Sequence, residues 1–176
     1  PTIVFGFFAL TFVTPVLRTI IPALDSFNSV SPGIVVGIMI VPVITSMSED
    51  AIASVPNKIR EGAYGLGSTK FEVATKVVLP AAASGVVASI VLGISRAIGE
   101  TMIVSLAAGS SPTASLNLTN SIQTMTGYIV EVATGDATFG SDMYYSIYAV
   151  GFTLFIFTLI MNLISYWISK RFREEY

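Results

Sequence analysis

The chain has 176 residues, of which 53% are hydrophobic and only 11% are charged, with a formal net charge of −2. Soluble domains carry about 25% charged residues, so this composition, with a mean hydropathy of +0.77, indicates a polytopic membrane protein. The chain has no cysteine and no histidine, which excludes disulfides, thiol chemistry and the usual Cys/His zinc sites. It begins at Pro1, inside an apolar run, so we expect further spans to precede it.

Four apolar segments predict an all-α polytopic fold, with one transmembrane domain over residues 1–176. The predicted spans are residues 1–17, 33–47, 81–108 and 144–169. Aromatic residues at both ends of the last span suit the two membrane interfaces. A short connection rich in turn-forming residues, Arg18–Pro32, separates the first two spans.

The polar segment Ser48–Pro80 lies between the second and third spans and predicts two or three short helices. Ser48 and the two acids after it suggest a helix start. Pro56 can occupy the first turn of a second helix, which should stop at Gly67. A capping box over Thr69–Glu72 predicts the start of a third helix.

The distribution of basic residues predicts the orientation. Four lie in Ser48–Pro80 and three in the C-terminal tail, whereas residues 109–143 contain none. The positive-inside rule therefore places Ser48–Pro80 and the C-terminus in the cytoplasm and residues 109–143 outside. Within that external loop, Ile122–Ala133 is apolar enough to form a helix at the membrane interface.

Small residues recur every four positions in the predicted span 81–108, at Ala81, Gly85, Ser89, Gly93 and Ala97. Such a stripe allows a neighbouring helix to approach closely. Arg96 and Glu100 lie on the same face of a continuous helix. Charges at bilayer depth are costly and commonly line a substrate path. We therefore predict that Arg96 and Glu100 point into the bundle, with Arg96 attracting an anionic substrate and Glu100 holding it in place. A pair that only fixes helix register is the alternative.

A second set of candidate residues follows a recognisable spacing in the polar segment: Glu61, Gly62, Ala63, Gly67, Leu79 and Pro80. This pattern resembles the EAA signature of ABC importer permeases, with Gly62 in place of the middle alanine and Val77 in place of isoleucine. The resemblance implies that this segment docks on a cytoplasmic ATP-binding subunit and transmits its motion. Two short helices around a glycine hinge suit that task.

The stretch Arg96–Thr101, RAIGET, is similar to phosphate importer permeases of the PstC/PstA family. The first ten residues and Ala149–Ser165 look more like PstC-type subunits than PstA-type ones. The resemblance implies a MetI-like helix bundle in the cytoplasmic membrane and adds Thr101 to the candidate substrate pathway. It also implies a PstA-like second permease, ATP-binding subunits and an external phosphate-binding protein.

The resulting hypothesis is a transport subunit for inorganic phosphate that works by alternating access and has no catalytic residues, cofactor or metal of its own. ATP hydrolysis would take place on a partner. Alternatives are a PstA-type subunit, a permease for molybdate or sulfate, and a passive anion channel. A membrane enzyme is a further possibility, but the sequence offers no convincing catalytic constellation.

Overall fold

A computed structural model describes residues 1–112 and 117–171, and the elements in these residues are helices. They are α1 (Thr2–Ile20), α2 (Val30–Ala53), α3 (Asn57–Gly65), α4 (Lys70–Ala81), α5 (Ala83–Ile98), α6 (Met102–Ala107), α7 (Met125–Thr134) and α8 (Asp142–Arg171). Part of the predicted external loop, residues 113–116, and the tail beyond residue 171 lie outside the described residues. The all-α fold is confirmed for the described part of the chain.

Three of these helices, α1, α2 and α8, are long and apolar enough to cross a membrane. The predicted third span, residues 81–108, is not one helix. Its main part, α5, has 16 residues, or about 24 Å at 1.5 Å per residue, against a hydrocarbon thickness of about 30 Å. Helix α4 meets α5 at a bend of 66°, so the polar segment and the apolar α5 run in different directions.

The predicted helix start at Ser48 is wrong, because α2 continues without a break to Ala53. No glycine or proline occurs between Val43 and Ala53, so nothing in the backbone stops the helix there. Serine followed by acids suits a helix start but is also compatible with the exposed face of a helix that has already begun. The second span therefore extends into the segment expected to be a separate helix.

The described residues form two compact units. The first consists of Pro1–Met39 and Ala97–Thr158. Its apolar core contains Ala9, Val35, Val36, Ile103 and Ala107. Helices α1 and α6 pack closely there, since a Cβ added to Gly6 would lie 3.1 Å from the Cα of Ile103.

Helix α2 begins in this unit with a buried polar cluster. The fully buried Asn28 accepts the backbone N–H of Ser31 at 2.8 Å, and Thr14 donates to the Ser31 hydroxyl at 2.9 Å. These bonds satisfy polar groups that would otherwise be costly to bury.

The second unit consists of Ile40–Arg96 and the described residues from Leu159 onward. In it, the small-residue stripe of α5 packs against α2, as predicted. A Cβ added to Gly85 would lie 2.5 Å from the Cβ of Ala51, and the Ser89 and Ser48 hydroxyls are 2.6 Å apart. One turn further along, Gly93 packs against Ile44 in the same close manner. Because Gly85 and Gly93 have no side chain, α2 and α5 can approach each other closely.

Candidate functional site

The polar segment folds as two helical pieces joined by a tight turn, as its sequence predicts. Pro56 precedes the first turn of α3, and that helix ends at Gly65. Gly67 then adopts φ +85°, a left-handed conformation that costs glycine little and other residues more. Its N–H donates to the carbonyl of Tyr64 at 2.9 Å, which closes the end of α3.

The predicted capping box at the start of α4 is confirmed. The Thr69 hydroxyl accepts the backbone N–H of Glu72 at 3.3 Å, and the Glu72 carboxylate accepts the backbone N–H of Thr69 at 3.0 Å. Glu72 also forms an ion pair with Lys76 at 3.2 Å. The hydrogen bond from the Thr69 backbone, together with those from the Thr69 hydroxyl and Lys76, lowers the pKa of Glu72 below its ordinary value.

The segment packs around a small apolar core of Val55, Val73 and Val78, which continues through Ala82 to Val86 in α5. Ala63, the last residue of the EAA-like triplet, packs against this core. Glu61 and Gly62 lie on the outer side of α3 and are exposed, and nothing lies within 4 Å of a Cβ added to Gly62. The substitution of glycine for the middle alanine therefore leaves the packing of α3 unchanged.

The remaining residues of the EAA-like pattern, Leu79 and Pro80, lie at the end of α4 and are exposed. The helix continues through both to Ala81 and bends only before Ala83. Pro80 is tolerated because it begins a new helical turn after the π-helical stretch Val73–Val78.

Large apolar side chains are exposed in the turn between α3 and α4 and in the adjoining helix ends. Leu66 is 89% exposed, Phe71 is 76% exposed and Tyr64 is 46% exposed. Sequence analysis missed this apolar tip, although two large apolar residues close to a turn glycine in an otherwise polar segment were a usable signal. Such side chains gain from burial against a partner.

The second group of predicted residues lies around the break after α5. Arg96 is in the last turn of α5 and is exposed. Glu100 lies between α5 and α6. The prediction that Arg96 and Glu100 share the face of one continuous helix is therefore wrong. Its Oε1 accepts the backbone N–H groups of Met102 at 3.2 Å and Ile103 at 3.4 Å, and it thereby caps the start of α6.

Thr101 lies at the start of α6, and its hydroxyl donates to the carbonyl of Gly99 at 3.3 Å. The neighbouring backbone is tied to α7, since Thr126 donates to the carbonyl of Glu100 at 2.9 Å. Helix α7 itself, Met125–Thr134, corresponds to the helix expected within Ile122–Ala133. The break is therefore a defined structure with satisfied backbone groups.

A cavity of about 320 Å³ adjoins Glu100 in the first unit. Its walls are mainly apolar and include Val104, Leu154 and Phe157, with hydroxyl groups from Thr124 and Thr126. No lysine or arginine is among its described lining residues. A carboxylate in an apolar cavity does not favour a bound anion, so this cavity is a poor phosphate site.

Together, apolar helices of membrane length and an exposed polar segment along the chain between them define a helical membrane protein. The chain belongs to the family of binding-protein-dependent transport system inner membrane components, whose model matches residues 1–174. It is therefore an ABC transporter permease by family.

Curated relatives support the same family. The chain is 32% identical to a probable ABC transporter permease protein, YqgH of Bacillus subtilis, over 97% of this chain and 55% of that protein. It is 30% identical to a probable phosphate transport system permease protein PstC of Methanocaldococcus jannaschii, over 99% of this chain and 60% of that protein. It is 32% identical to the phosphate transport system permease protein PstC of Xylella fastidiosa strain Temecula1, over 94% of this chain and 56% of that protein. The chain thus spans a little over half the length of these relatives. No solved structure matches the chain significantly.

Proposed function

We propose that this chain forms the membrane-spanning part of a permease subunit in an ATP-driven importer of inorganic phosphate. Membership of the permease family supports the transport role, and similarity to proteins described as PstC supports the choice of phosphate. The polar segment Ser48–Pro80 would face the cytoplasm, as its lysines and arginines suggest. This subunit would work beside a PstA-like permease and an external phosphate-binding protein.

The observation that carries the proposal is the apolar tip on a rigid polar segment. Leu66 lies in the turn between α3 and α4, and Phe71 lies in the first turn of α4. Gly67, the Thr69–Glu72 capping box and the apolar core around Val73 hold this region in shape. A rigid element with exposed apolar side chains is suited to docking into a cleft, because little conformational entropy is lost on binding. In this proposal, the apolar tip docks into a cleft of the cytoplasmic ATP-binding subunit.

The EAA-like residues have separate tasks in this proposal. Ala63 holds α3 on the apolar core, and Gly67 allows the turn that presents the tip. Glu61, which is exposed on α3, would contact the ATP-binding subunit directly. Leu79 and Pro80, at the exposed end of α4, would pass the motion on towards α5.

Transport would follow an alternating-access mechanism. ATP-driven approach of the two ATP-binding subunits would move the polar segment, and the spans would then open to one side or the other. Arg96 is the proposed attractor for phosphate, since it is exposed and lies in the last turn of α5. Glu100 and Thr101 would shape the break beside it, with Glu100 holding the start of α6.

The test is phosphate uptake into proteoliposomes that contain the full-length permease, its PstA-like partner, the ATP-binding subunit and the binding protein. The double variant Leu66→Ser/Phe71→Ser should lower ATP-dependent uptake at least tenfold, because truncating well-buried interface anchors costs about 2 kcal/mol or more. Phe139→Ser is the matched control, since Phe139 is 81% exposed but lies outside the polar segment. Equal losses in both variants would refute docking through the tip.

The same vesicles separate the competing functions. Arg96→Gln should abolish uptake while the complex still assembles, and unchanged uptake would remove Arg96 from the substrate path. Competition by molybdate or sulfate stronger than that by phosphate would reassign the substrate. Phosphate flux without ATP would indicate a passive anion channel.

A further inference from the structure

A cleft between α3 and α4 combines positive charge with apolar walls. Its volume is about 350 Å³, and its cationic residues are Arg60 and Lys70. Ile52, Val73, Val78 and Leu79 supply apolar surface. No aspartate or glutamate is among its described lining residues. The cleft therefore suits a ligand with an anionic group and an apolar portion.

The Arg60 side chain is held in position at this cleft. Its Nη2 donates to the carbonyl of Ile52 at 2.7 Å, close to the C-terminal end of α2. Its Nε is buried and has no hydrogen-bond partner among the described residues. A guanidinium carries five N–H donors, and the bond to Ile52 uses one of them. The accessible N–H groups that remain suit an anionic oxygen in the cleft, since arginine forms strong hydrogen bonds with phosphate groups.

The location of the cleft decides between a free anion and a lipid. Ile52 lies at the end of a helix of membrane length, whereas Val78 and Leu79 lie just before the bend into the apolar α5. The cleft thus opens where apolar helices meet the polar segment, and with α2 crossing the bilayer this junction would lie at the level of the lipid headgroups. Free phosphate would not use the apolar walls, whereas the acyl chain of a phospholipid would.

We infer that the cleft binds one acidic phospholipid, with the headgroup phosphate on Arg60 and Lys70 and the start of an acyl chain against the apolar walls. Basic pockets beside membrane helices are a general means of binding acidic headgroups. The bound lipid would contact both α3 and α4, so membrane composition would influence the stability of the polar segment. This inference concerns lipid binding alone and stands independently of the transported substrate.

The test is native mass spectrometry of the full-length protein in detergent, with added phosphatidylglycerol or phosphatidylcholine of identical acyl chains. We expect preferential binding of one phosphatidylglycerol. Lys70→Gln should weaken it about fivefold, and Arg60→Gln/Lys70→Gln about 25-fold, at roughly fivefold for each cation near a membrane surface. The matched control is Lys58→Gln/Lys76→Gln, which removes two exposed positive charges from the same segment and should change binding less than twofold.

A filling variant tests the apolar walls without changing the charge. Ala74→Phe, at another lining position, should exclude the acyl chain and reduce phosphatidylglycerol binding, provided circular dichroism shows the wild-type helix content. Equal losses in the two double-charge variants would indicate diffuse attraction and overturn the site. So would equal binding of the two lipids, or displacement of phosphatidylglycerol by millimolar inorganic phosphate, which would identify a free anion as the ligand.

Discussion

The substitution Gly85→Ala tests the packing of α2 against α5 directly. The added Cβ would lie 2.5 Å from the Cβ of Ala51, whereas nonbonded carbon atoms prefer about 3.5–4.0 Å. Neither methyl group can rotate away, so the helices must separate by about 1 Å or more. The Ser48 and Ser89 hydroxyls, now 2.6 Å apart, would then move beyond hydrogen-bond distance.

The expected destabilisation is about 2 kcal/mol. Overpacking costs about 1–3 kcal/mol, and loss of an interhelical hydrogen bond in a membrane protein adds about 0.6 kcal/mol. Replacing glycine with alanine inside a helix also stabilises that helix by about 0.5–1 kcal/mol, which offsets part of the loss. The steric term therefore exceeds the propensity term at Gly85.

The assay is unfolding of the full-length protein from detergent micelles by sodium dodecyl sulfate, followed by circular dichroism. Gly37→Ala is the matched control, since nothing lies within 4 Å of a Cβ added there. Adding Ala51→Gly to Gly85→Ala should restore most of the lost stability, because it removes the opposing methyl group. Wild-type stability of Gly85→Ala, or no recovery in the double variant, would refute the packing argument.

Three further changes test the polar segment. Gly62→Ala points into open space and should stabilise α3 by about 0.5–1 kcal/mol, with ATP-coupled uptake unchanged. Gly67→Ala forces alanine to φ +85°; it should cost about 1–2 kcal/mol and raise ATP hydrolysis per phosphate transported. Thr69→Ala should destabilise α4 by about 1 kcal/mol at pH 7, measured by amide hydrogen exchange. Because the pKa of Glu72 is lowered, its contribution is present above the unfolded pKa and is lost as the pH falls through the folded value.

Each of these three changes has a contradicting result. Loss of coupled uptake in Gly62→Ala would mean that the open space beside it is occupied by a partner. Normal coupling in Gly67→Ala would remove the turn from the transmission path. For Thr69→Ala, the part of the difference that comes from the hydrogen bond between the Thr69 hydroxyl and the Glu72 carboxylate should disappear below about pH 4, where carboxyl groups protonate. A difference independent of pH would contradict a contribution from that hydrogen bond.

The sequence was most informative where a local rule has a single physical solution. The Thr69–Glu72 box, the end of α3 near Gly67 and the stripe along α5 all follow from neighbouring residues alone, and all are confirmed. Each depends on hydrogen bonds within one turn or on the absence of a side chain. The capping box and the end of α3 do not depend on the rest of the chain, whereas the stripe needs a partner helix, which in the structure is α2.

The errors arose where two local solutions compete for the same residues. Ser48 could have capped a new helix, but in the structure its hydroxyl meets Ser89 and α2 continues. Around Gly99, an apolar run suggested one long span, whereas Glu100 captures the backbone N–H groups that begin α6. A glycine followed by an acid and a threonine resembles a helix end and a new start, so the signal was present but outweighed by hydrophobicity.

The unbroken course of α2 has a mechanical consequence. This helix has 24 residues and is therefore about 36 Å long, and near its C-terminal end Ile52 packs against the apolar core of the polar segment. Force applied to the polar segment would therefore be carried along α2 from Ile52 back to Val43, a stretch without proline, and would reach the contacts of Ala51 and Ile44 with α5.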